Sequence, residues 1–296
     1  MKVGLSLSGG AARGLIHLGA IEELEKEGVP VDIIAGCSIG ALIGAMYAIN
    51  PDAELVKKKI FAFLENTEDQ IIPFDYQRDG DGVEKRSLLK KIAASLKKSF
   101  HYGIALTQLS LLSTERLRES LSKIIPDADF SKCAIPFVCS ATDITNNRAY
   151  YFEKGSLLDA VTASCSIPGL YPPIIHEGMT LVDGGWSALN HPDKLREMGA
   201  GFVIAITIQQ EIKDDKLSTG LDVVIKSNAV AREALSMSQL KNADVVIEPD
   251  VCDINWWDFA NSGVCMVLGK KRTADTVKEI KSKLRKKKIK NFFAIR

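Results

Sequence analysis

The segment IIAGCSIGAL, residues 33–42, places Ser38 between two glycines where strand-like sequence changes to helix-like sequence. The apolar run VDIIAGCS is typical of a buried strand, and IGALIGAMYAI repeats apolar residues at helical spacing. G-x-S-x-G in this setting indicates a nucleophile elbow, a sharp turn that exposes a serine hydroxyl above a sheet. Gly36 and Gly40 suit this turn because they have no side chain to clash within it. Ser38 is therefore a candidate nucleophile, and a small residue at a structural turn is the alternative.

The preceding residues follow the same order of strand, glycine turn and helix. KVGLSLS predicts a strand, GGAARG at 9–14 a loop, and the apolar spacing beyond it a helix that ends near Gly28 and Pro30. Successive strand–helix units predict parallel pairing, because each crossover returns the chain to the same end of the sheet. Loops that carry functional residues then collect at the carboxyl ends of the strands.

The rest of the chain continues this α/β pattern without an internal repeat or a low-complexity linker. We predict one main domain over residues 1–270, followed by a basic helical tail over 271–296. An apolar stripe flanked by lysines also predicts a basic amphipathic helix near 88–98. Further strands are predicted at 135–143, 148–153, 179–183, 201–208 and 244–249, and helices near 112–124, 155–166, 191–198 and 219–241.

The composition of the chain is that of an ordinary folded domain. Of 296 residues, 46% are hydrophobic and 25% are charged, which excludes disordered and fibrous classes. No signal-peptide core or long apolar span is apparent, so a cytoplasmic location is expected. The six cysteines form no C-x-x-C pair and are expected to be scattered thiols: Cys37, Cys133, Cys139, Cys165, Cys252 and Cys265.

The net charge of +1 conceals a strongly basic tail. Residues 270–296 contain twelve Lys and Arg against Asp275 and Glu279, a local excess of +10. This tail is a candidate for peripheral contact with an anionic membrane, and a solvated basic helix end is the alternative. No nucleic-acid partner is predicted, because the chain has no recognisable nucleic-acid-binding module.

The loop at 9–14 fits two nucleotide-binding motifs poorly. A dinucleotide fingerprint requires a glycine where Ala11 stands, and its acidic ribose partner would fall on Asp32 only approximately. A phosphate-binding P-loop requires Lys and then Ser or Thr, but Leu15 and Ile16 occupy those places.

An oxyanion hole is the third interpretation of this loop. Backbone amides of Gly10, Ala11 and Ala12 could face the carbonyl oxygen of an ester attacked by Ser38. Both glycine loops follow parallel strands and can meet at one edge of the sheet, which favours this interpretation.

A nucleophilic serine also needs a base. His191 lies just past DGGWSALN and is the most plausible histidine for a triad. Asp183 ends the apolar strand MTLVD before Gly184-Gly185, a turn that would leave its carboxylate free to approach the serine; turn chemistry alone is the alternative. The chain contains four histidines: His17, His101, His176 and His191.

Three segments taken together resemble the patatin-like phospholipase family. They are GGAARG at 9–14, GCSIG at 36–40 and DGG at 183–185, in the family's order. Connecting segments such as HLGAIEELEKEGVPVDIIAG and ASCSIPGLYPPI (163–174) are also similar, so the resemblance covers roughly residues 1–270.

The resemblance implies a three-layer α/β/α sandwich with a mainly parallel central sheet. It also implies acyl-ester hydrolysis, without metal or cofactor, by a dyad of Ser38 and Asp183. The substrate would be a phospholipid, a lysophospholipid or another fatty-acyl ester. The implied oxyanion loop comprises Gly9, Gly10, Ala11, Ala12, Arg13 and Gly14, and the implied supporting residues of the motifs are Gly36, Gly40, Gly184 and Gly185.

The loop departs from the family pattern at one residue. Ala11 stands where glycine is common, and we expect it to be tolerated if its φ is negative. The resemblance assigns Arg13 to holding the loop, with a surface ion pair as the alternative. Two other function classes remain open: a non-catalytic lipid-binding or scaffold protein of this fold, and a nucleotide-binding oxidoreductase.

Overall fold

The computed structural model describes residues 1–65, 109–208 and 217–294. They form one sheet flanked by helices; the amphipathic helix predicted near 88–98 lies outside the described residues. The strands are β1 (Lys2–Leu7), β2 (Ile33–Cys37), β3 (Phe137–Asp143), β4 (Arg148–Phe152), β5 (Ile174–His176), β6 (Met179–Asp183), β7 (Ala200–Ile206) and β8 (Val245–Ile247). The helices are α1 (Ile16–Lys26), α2 (Ile39–Ile49), α3 (Ala53–Glu65), α4 (Thr114–Ser122), α5 (Leu157–Ser164), α6 (Pro192–Glu197), α7 (Gly220–Leu240) and α8 (Ser262–Ala294).

The sheet is parallel at its centre. Its strand order is β5-β6-β3-β2-β1-β7-β8, with β4 on β3, and the strands from β3 to β8 along this order run parallel. Strands β4, β5 and β6 are antiparallel to their neighbours. This arrangement confirms the predicted parallel units; β5, only three residues long, was not predicted.

The two faces of the sheet carry separate apolar clusters. Alternate residues of β2 point to opposite faces, so Ile34 joins the larger cluster while Ile33 and Ala35 join the smaller one. Helices α1 and α2 contribute to the larger cluster, and Leu195 of α6 to the smaller. Helices therefore cover both faces, which confirms the predicted three-layer α/β/α sandwich.

The ends of β2 and β6 meet beside β3. Ala141 of β3 pairs with Asp183, and the adjacent Ser140 pairs with Cys37. Both β3 residues also pair with β4, so β2 and β6 share the opposite edge of β3. This register brings the end of β6 to the end of β2, immediately before Ser38.

The basic tail belongs to the long helix α8, and residue 270 lies within that helix. Gly19 of α1 and Gly269 of α8 allow the two helices to touch, because an added Cβ would lie about 2 Å from the carbonyl oxygen of Met266 or Ile16. Three lysines also form ion pairs with the main domain, each 2.5 to 2.7 Å long: Lys270 with Glu22, Lys281 with Glu27, and Lys287 with Asp244.

Candidate active site

Ser38 occupies a strained turn between β2 and α2. Its φ is 52° and its ψ is −123°, a conformation that non-glycine residues rarely adopt and that is found where structure enforces it. A Cβ on Gly36 would lie 2.4 Å from the carbonyl oxygen of Gly40, and one on Gly40 would lie 2.4 Å from that of Leu7. Both motif glycines are therefore required by close packing, as the elbow predicts.

Ser164, at the end of α5, holds the elbow from the side. The backbone amide of Ser38 donates a hydrogen bond of 2.9 Å to the Ser164 hydroxyl. Two residues later, the carbonyl oxygen of Ser166 accepts a bond of 2.9 Å from the backbone amide of Asp183. One short segment thus positions both candidate residues. Sequence reasoning did not identify Ser164, although it lies within ASCSIPGLYPPI.

Asp183 lies buried beside Ser38 at the end of β6. Its Oδ1 accepts a hydrogen bond of 2.8 Å from the Gly185 amide, and the Cys37 Sγ lies 3.8 Å from the same oxygen. Burial raises the pKa of Asp183 above its usual value, and hydrogen bonds from the Gly185 amide and the Ser38 side chain oppose this rise. A sheltered carboxylate of raised basicity therefore lies next to the Ser38 hydroxyl.

The glycine loop that follows β1 lies against the elbow. A Cβ on Gly9 would be 3.4 Å from the Ser38 Cβ. In the described part of the chain, the amides of Gly9, Gly10 and Ala11 donate to no protein group. Unpartnered amides beside a serine are suited to stabilising negative charge on a bound oxygen.

Two expectations about the alanines of this loop are corrected. The φ of Ala11 is +47°, not negative, so the alanine occupies the left-handed region that favours glycine. The Ala12 amide donates a bond of 2.8 Å to the Trp256 carbonyl oxygen and is not available to a ligand. The candidate donors are therefore those of Gly9, Gly10 and Ala11.

Arg13 secures the loop from behind. Its Nε donates to the Ile254 carbonyl oxygen at 2.5 Å, a contact that suits the predicted loop-holding role. Gly14 packs against the elbow helix, because an added Cβ would lie 2.0 Å from the Cγ2 of Ile39. Contacts made by Arg13 and Ala12 join the loop to residues 254–256.

No described histidine hydrogen-bonds to Ser38 or Asp183. His17 Nε2 donates to the Ser8 carbonyl oxygen at 2.8 Å, and the His176 ring packs edge-on to Tyr150 and tilted to Phe152. Neither ring nitrogen of buried His191 has a hydrogen-bond partner within the described residues. The geometry therefore does not place His191 in a triad; His101 lies outside the described residues.

Arg232 of α7 is a second residue that the motifs did not reveal. Its Nε donates a bond of 3.1 Å to the Gly185 carbonyl oxygen, and its guanidinium lies 4.7 Å from the centre of the Trp186 ring. Its positive charge also lowers the pKa of Asp183. An arginine on an otherwise largely exposed helix carries no sequence signal that would assign it to a site.

Three other properties bear on the chemistry. Among the described residues, no cluster of three or more His, Cys, Asp or Glu could hold a metal ion. All six cysteines are free thiols. No helix in the described ranges combines the length and the apolar character needed to span a bilayer.

Comparison with known proteins agrees with these motifs. Residues 5–192 match the family described as patatin-like phospholipase. The chain belongs to the patatin-like phospholipase family. The matched residues include the Ser38 elbow, the Asp183 turn and the loop at 9–14.

Among curated members of the patatin-like family, the chain is similar to two fungal proteins named lysophospholipase nte1. It is 32% identical to that of Aspergillus fumigatus and 33% identical to that of Emericella nidulans, over 208 residues each. Each match covers 70% of this chain but only 12% of the fungal protein. Among solved structures, VipD from Legionella pneumophila aligns with 94% of this chain and 66% of its own, at 15% identity and a TM-score of 0.47.

Proposed function

We propose that the protein is a serine acyl-ester hydrolase that releases fatty acids from phospholipids, lysophospholipids or other fatty-acyl esters. The observation that carries this proposal is the meeting of Ser38, Asp183 and the unpartnered amides of Gly9, Gly10 and Ala11. The family and the lysophospholipase names of the fungal relatives support a lipid ester as substrate.

In the proposed reaction, Asp183 takes the Ser38 hydroxyl proton as the serine oxygen attacks the ester carbonyl. The loop amides stabilise the resulting oxyanion. The bond between the carbonyl carbon and the alcohol oxygen breaks, and the alcohol leaves with the proton from Asp183. A water molecule then gives a proton to Asp183 while the water oxygen attacks the carbonyl carbon of the acyl-enzyme. Asp183 returns this proton to the Ser38 oxygen as the fatty acid leaves. One carboxylate serves both steps, and no cofactor is required.

Active-site labelling with a fluorophosphonate probe tests this proposal against a non-catalytic lipid-binding role. We expect the wild-type protein to be labelled and to release fatty acid, and Ser38→Ala to do neither. Asp183→Asn should lower both rates by several orders of magnitude. The matched control is Ser122→Ala, at an exposed helix end, which should behave as wild type. Wild-type protein that is neither labelled nor active would overturn the proposal.

Peripheral membrane contact and a cytoplasmic location remain proposals from the sequence. The end of α8 carries exposed cations such as Arg285, Lys286 and Lys288 that suit an anionic surface. This end contacts Met1 and Asp244, which lie at the amino ends of parallel strands. Since Ser38 lies at the carboxyl end of β2, membrane contact through the tail would not bring the candidate site to the surface.

A further inference from the structure

Arg232 is held at the edge of the candidate active site by contacts that leave part of its guanidinium free. Its Nε donates to the Gly185 carbonyl oxygen, and its planar group lies over the Trp186 ring. Both contacts involve the turn directly after Asp183. These two contacts fix the orientation of the half-buried side chain, and no carboxylate of the described residues forms an ion pair with it.

The position of Gly185 shows how close this arginine is to Asp183. A Cβ on Gly185 would lie 3.1 Å from Arg232 Nη2 and 3.1 Å from Asp183 Oδ1. The guanidinium and the carboxylate that adjoins Ser38 therefore both lie close to this one glycine.

The free part of the guanidinium is suited to an anion. Over residues 1–65, 109–208 and 217–294, Nη1 and Nη2 of Arg232 donate no hydrogen bond, and no Asp or Glu forms an ion pair with them. Arginine presents a rigid planar set of donors that matches the oxygens of a phosphate. An arginine fixed this way has its donors already oriented, so less side-chain entropy is lost on binding.

We propose that Arg232 binds the phosphate of a glycerophospholipid whose ester carbonyl lies at Ser38. This inference rests on the proposed hydrolase function and assigns to Arg232 the selection of phosphate-bearing acylglycerols among the substrates proposed above. Only the glycerol unit separates the ester from the phosphate in such a lipid, so a phosphate-binding residue must lie near Ser38, and Arg232 contacts the turn directly after Asp183. Arg232 would thus favour phospholipids and lysophospholipids over neutral glycerides.

The test compares two substrates that share one acyl chain and one ester, lysophosphatidylcholine and the corresponding monoacylglycerol. Both are presented in the same nonionic detergent micelles, and kcat/KM is measured for each. A change in fold or in the basicity of Asp183 affects both substrates and cancels in the ratio. We expect Arg232→Gln to lower the ratio of phospholipid to neutral-lipid hydrolysis by about tenfold or more. Arg232→Lys, which keeps the charge but not the planar donors, should lower it less.

Arg285→Gln is the matched control, because Arg285 is an exposed arginine on the far end of α8. It should keep the wild-type ratio. An unchanged ratio in Arg232→Gln would overturn the phosphate assignment while leaving the hydrolase proposal intact. By contrast, wild-type protein inactive on both lipids and unlabelled at Ser38 would overturn the hydrolase proposal itself.

A binding measurement covers the case in which Arg232→Gln is too slow to assay. Glycerophosphocholine should slow fluorophosphonate labelling of wild-type Ser38, and a higher concentration should be needed for the same effect in the Arg232→Gln protein. Equal protection in both folded proteins would contradict the proposal. Thermal unfolding identifies a variant that has lost its fold, and Arg232→Lys then provides the comparison.

Discussion

The backbone amide of Ser38 donates a hydrogen bond of 2.9 Å to the hydroxyl of Ser164, a residue 126 positions further along the chain. This bond fixes the elbow in its strained conformation from outside the local turn. Because Ser166 also accepts from the Asp183 amide, the same segment controls the spacing of the two candidate catalytic residues.

Ser164→Ala should therefore impair activity in a protein that still folds. The substitution leaves a buried amide without a partner, at a cost of about 1–3 kcal/mol. We expect kcat/KM on a fatty-acyl ester to fall by about tenfold or more, with the protein still folded by circular dichroism. Ser122→Ala controls for loss of a hydroxyl at an exposed helix end. A Ser164→Ala protein as active as wild type would show that this hydrogen bond does not hold the site.

The activity should depend on pH through one carboxylate. Asp183 must be ionised to accept a proton, and burial raises its pKa. The activity should therefore decline as pH falls, with a midpoint above the ordinary pKa of an aspartate. His101→Gln should keep this profile. Loss of the acidic limb in that variant, measured as kcat/KM against pH, would instead indicate a histidine base.

The stability of the protein should fall in mild acid because two histidines are buried as neutral rings. Burial lowers the pKa of His17 from 6.5 to about 4 and that of His191 from 6.5 to about 3. As pH falls, the two histidines are protonated in the unfolded chain before they are protonated in the folded protein. The stability that the neutral histidines provide is therefore present above pH 6.5 and is lost as pH falls toward 4 and 3.

For His17 alone, this shift corresponds to roughly 3 kcal/mol. Urea unfolding at several pH values should show the decline, and His17→Gln should make it shallower. An equally steep decline in His17→Gln would exclude His17 as a contributor.

Ala11→Gly should stabilise the protein. Its φ of +47° costs an alanine about 1 kcal/mol that glycine does not incur. The free energy of unfolding should rise accordingly, partly offset by the greater freedom of glycine in the unfolded chain. Ala12→Gly is the matched control; Ala12 has no positive φ, so this change should destabilise the protein. A destabilised Ala11→Gly protein would contradict the assigned backbone conformation.

The basic end of α8 should affect membrane binding separately from catalysis. Replacing Lys286, Lys288 and Lys290 with glutamine should weaken binding to phosphatidylserine vesicles in sedimentation assays, and added salt should weaken wild-type binding. Hydrolysis of a soluble short-chain ester should remain at the wild-type rate, because these lysines lie on the far end of the helix. Unaltered vesicle binding would exclude the tail as the anionic contact.

Much of the fold could be predicted because its signals are local. Apolar runs near β1, β2, β3, β6 and β7 predicted strands that the structure contains, and glycine turns separated them. Strand β5 was missed because three residues are too few for a periodic pattern. The predicted boundary of the basic tail at residue 270 falls inside α8. The composition of the sequence does not mark where this helix, which packs on α1, begins.

The candidate site was only partly predictable from sequence, because only some of its residues lie in local motifs. Ser38, Asp183 and Arg13 lie in motifs whose glycines and turn geometry are local properties. Ser164 and Arg232 carry no such mark, because their roles depend on contacts across distant parts of the chain. A serine at a helix end and an arginine on an exposed helix look the same in sequence whether or not they reach a site.

The sequence by itself determined the α/β class, the elbow at Ser38, the loop at 9–14 and the turn at Asp183, because backbone conformation at glycines and strand ends depends on nearby residues. The tertiary structure decided which groups meet. It placed the ends of β2 and β6 together on β3, engaged the Ala12 amide with Trp256, and brought Arg232 to the turn after Asp183. These contacts join residues far apart in the chain, and the packing of the sheet and its helices, rather than local sequence, sets their distances.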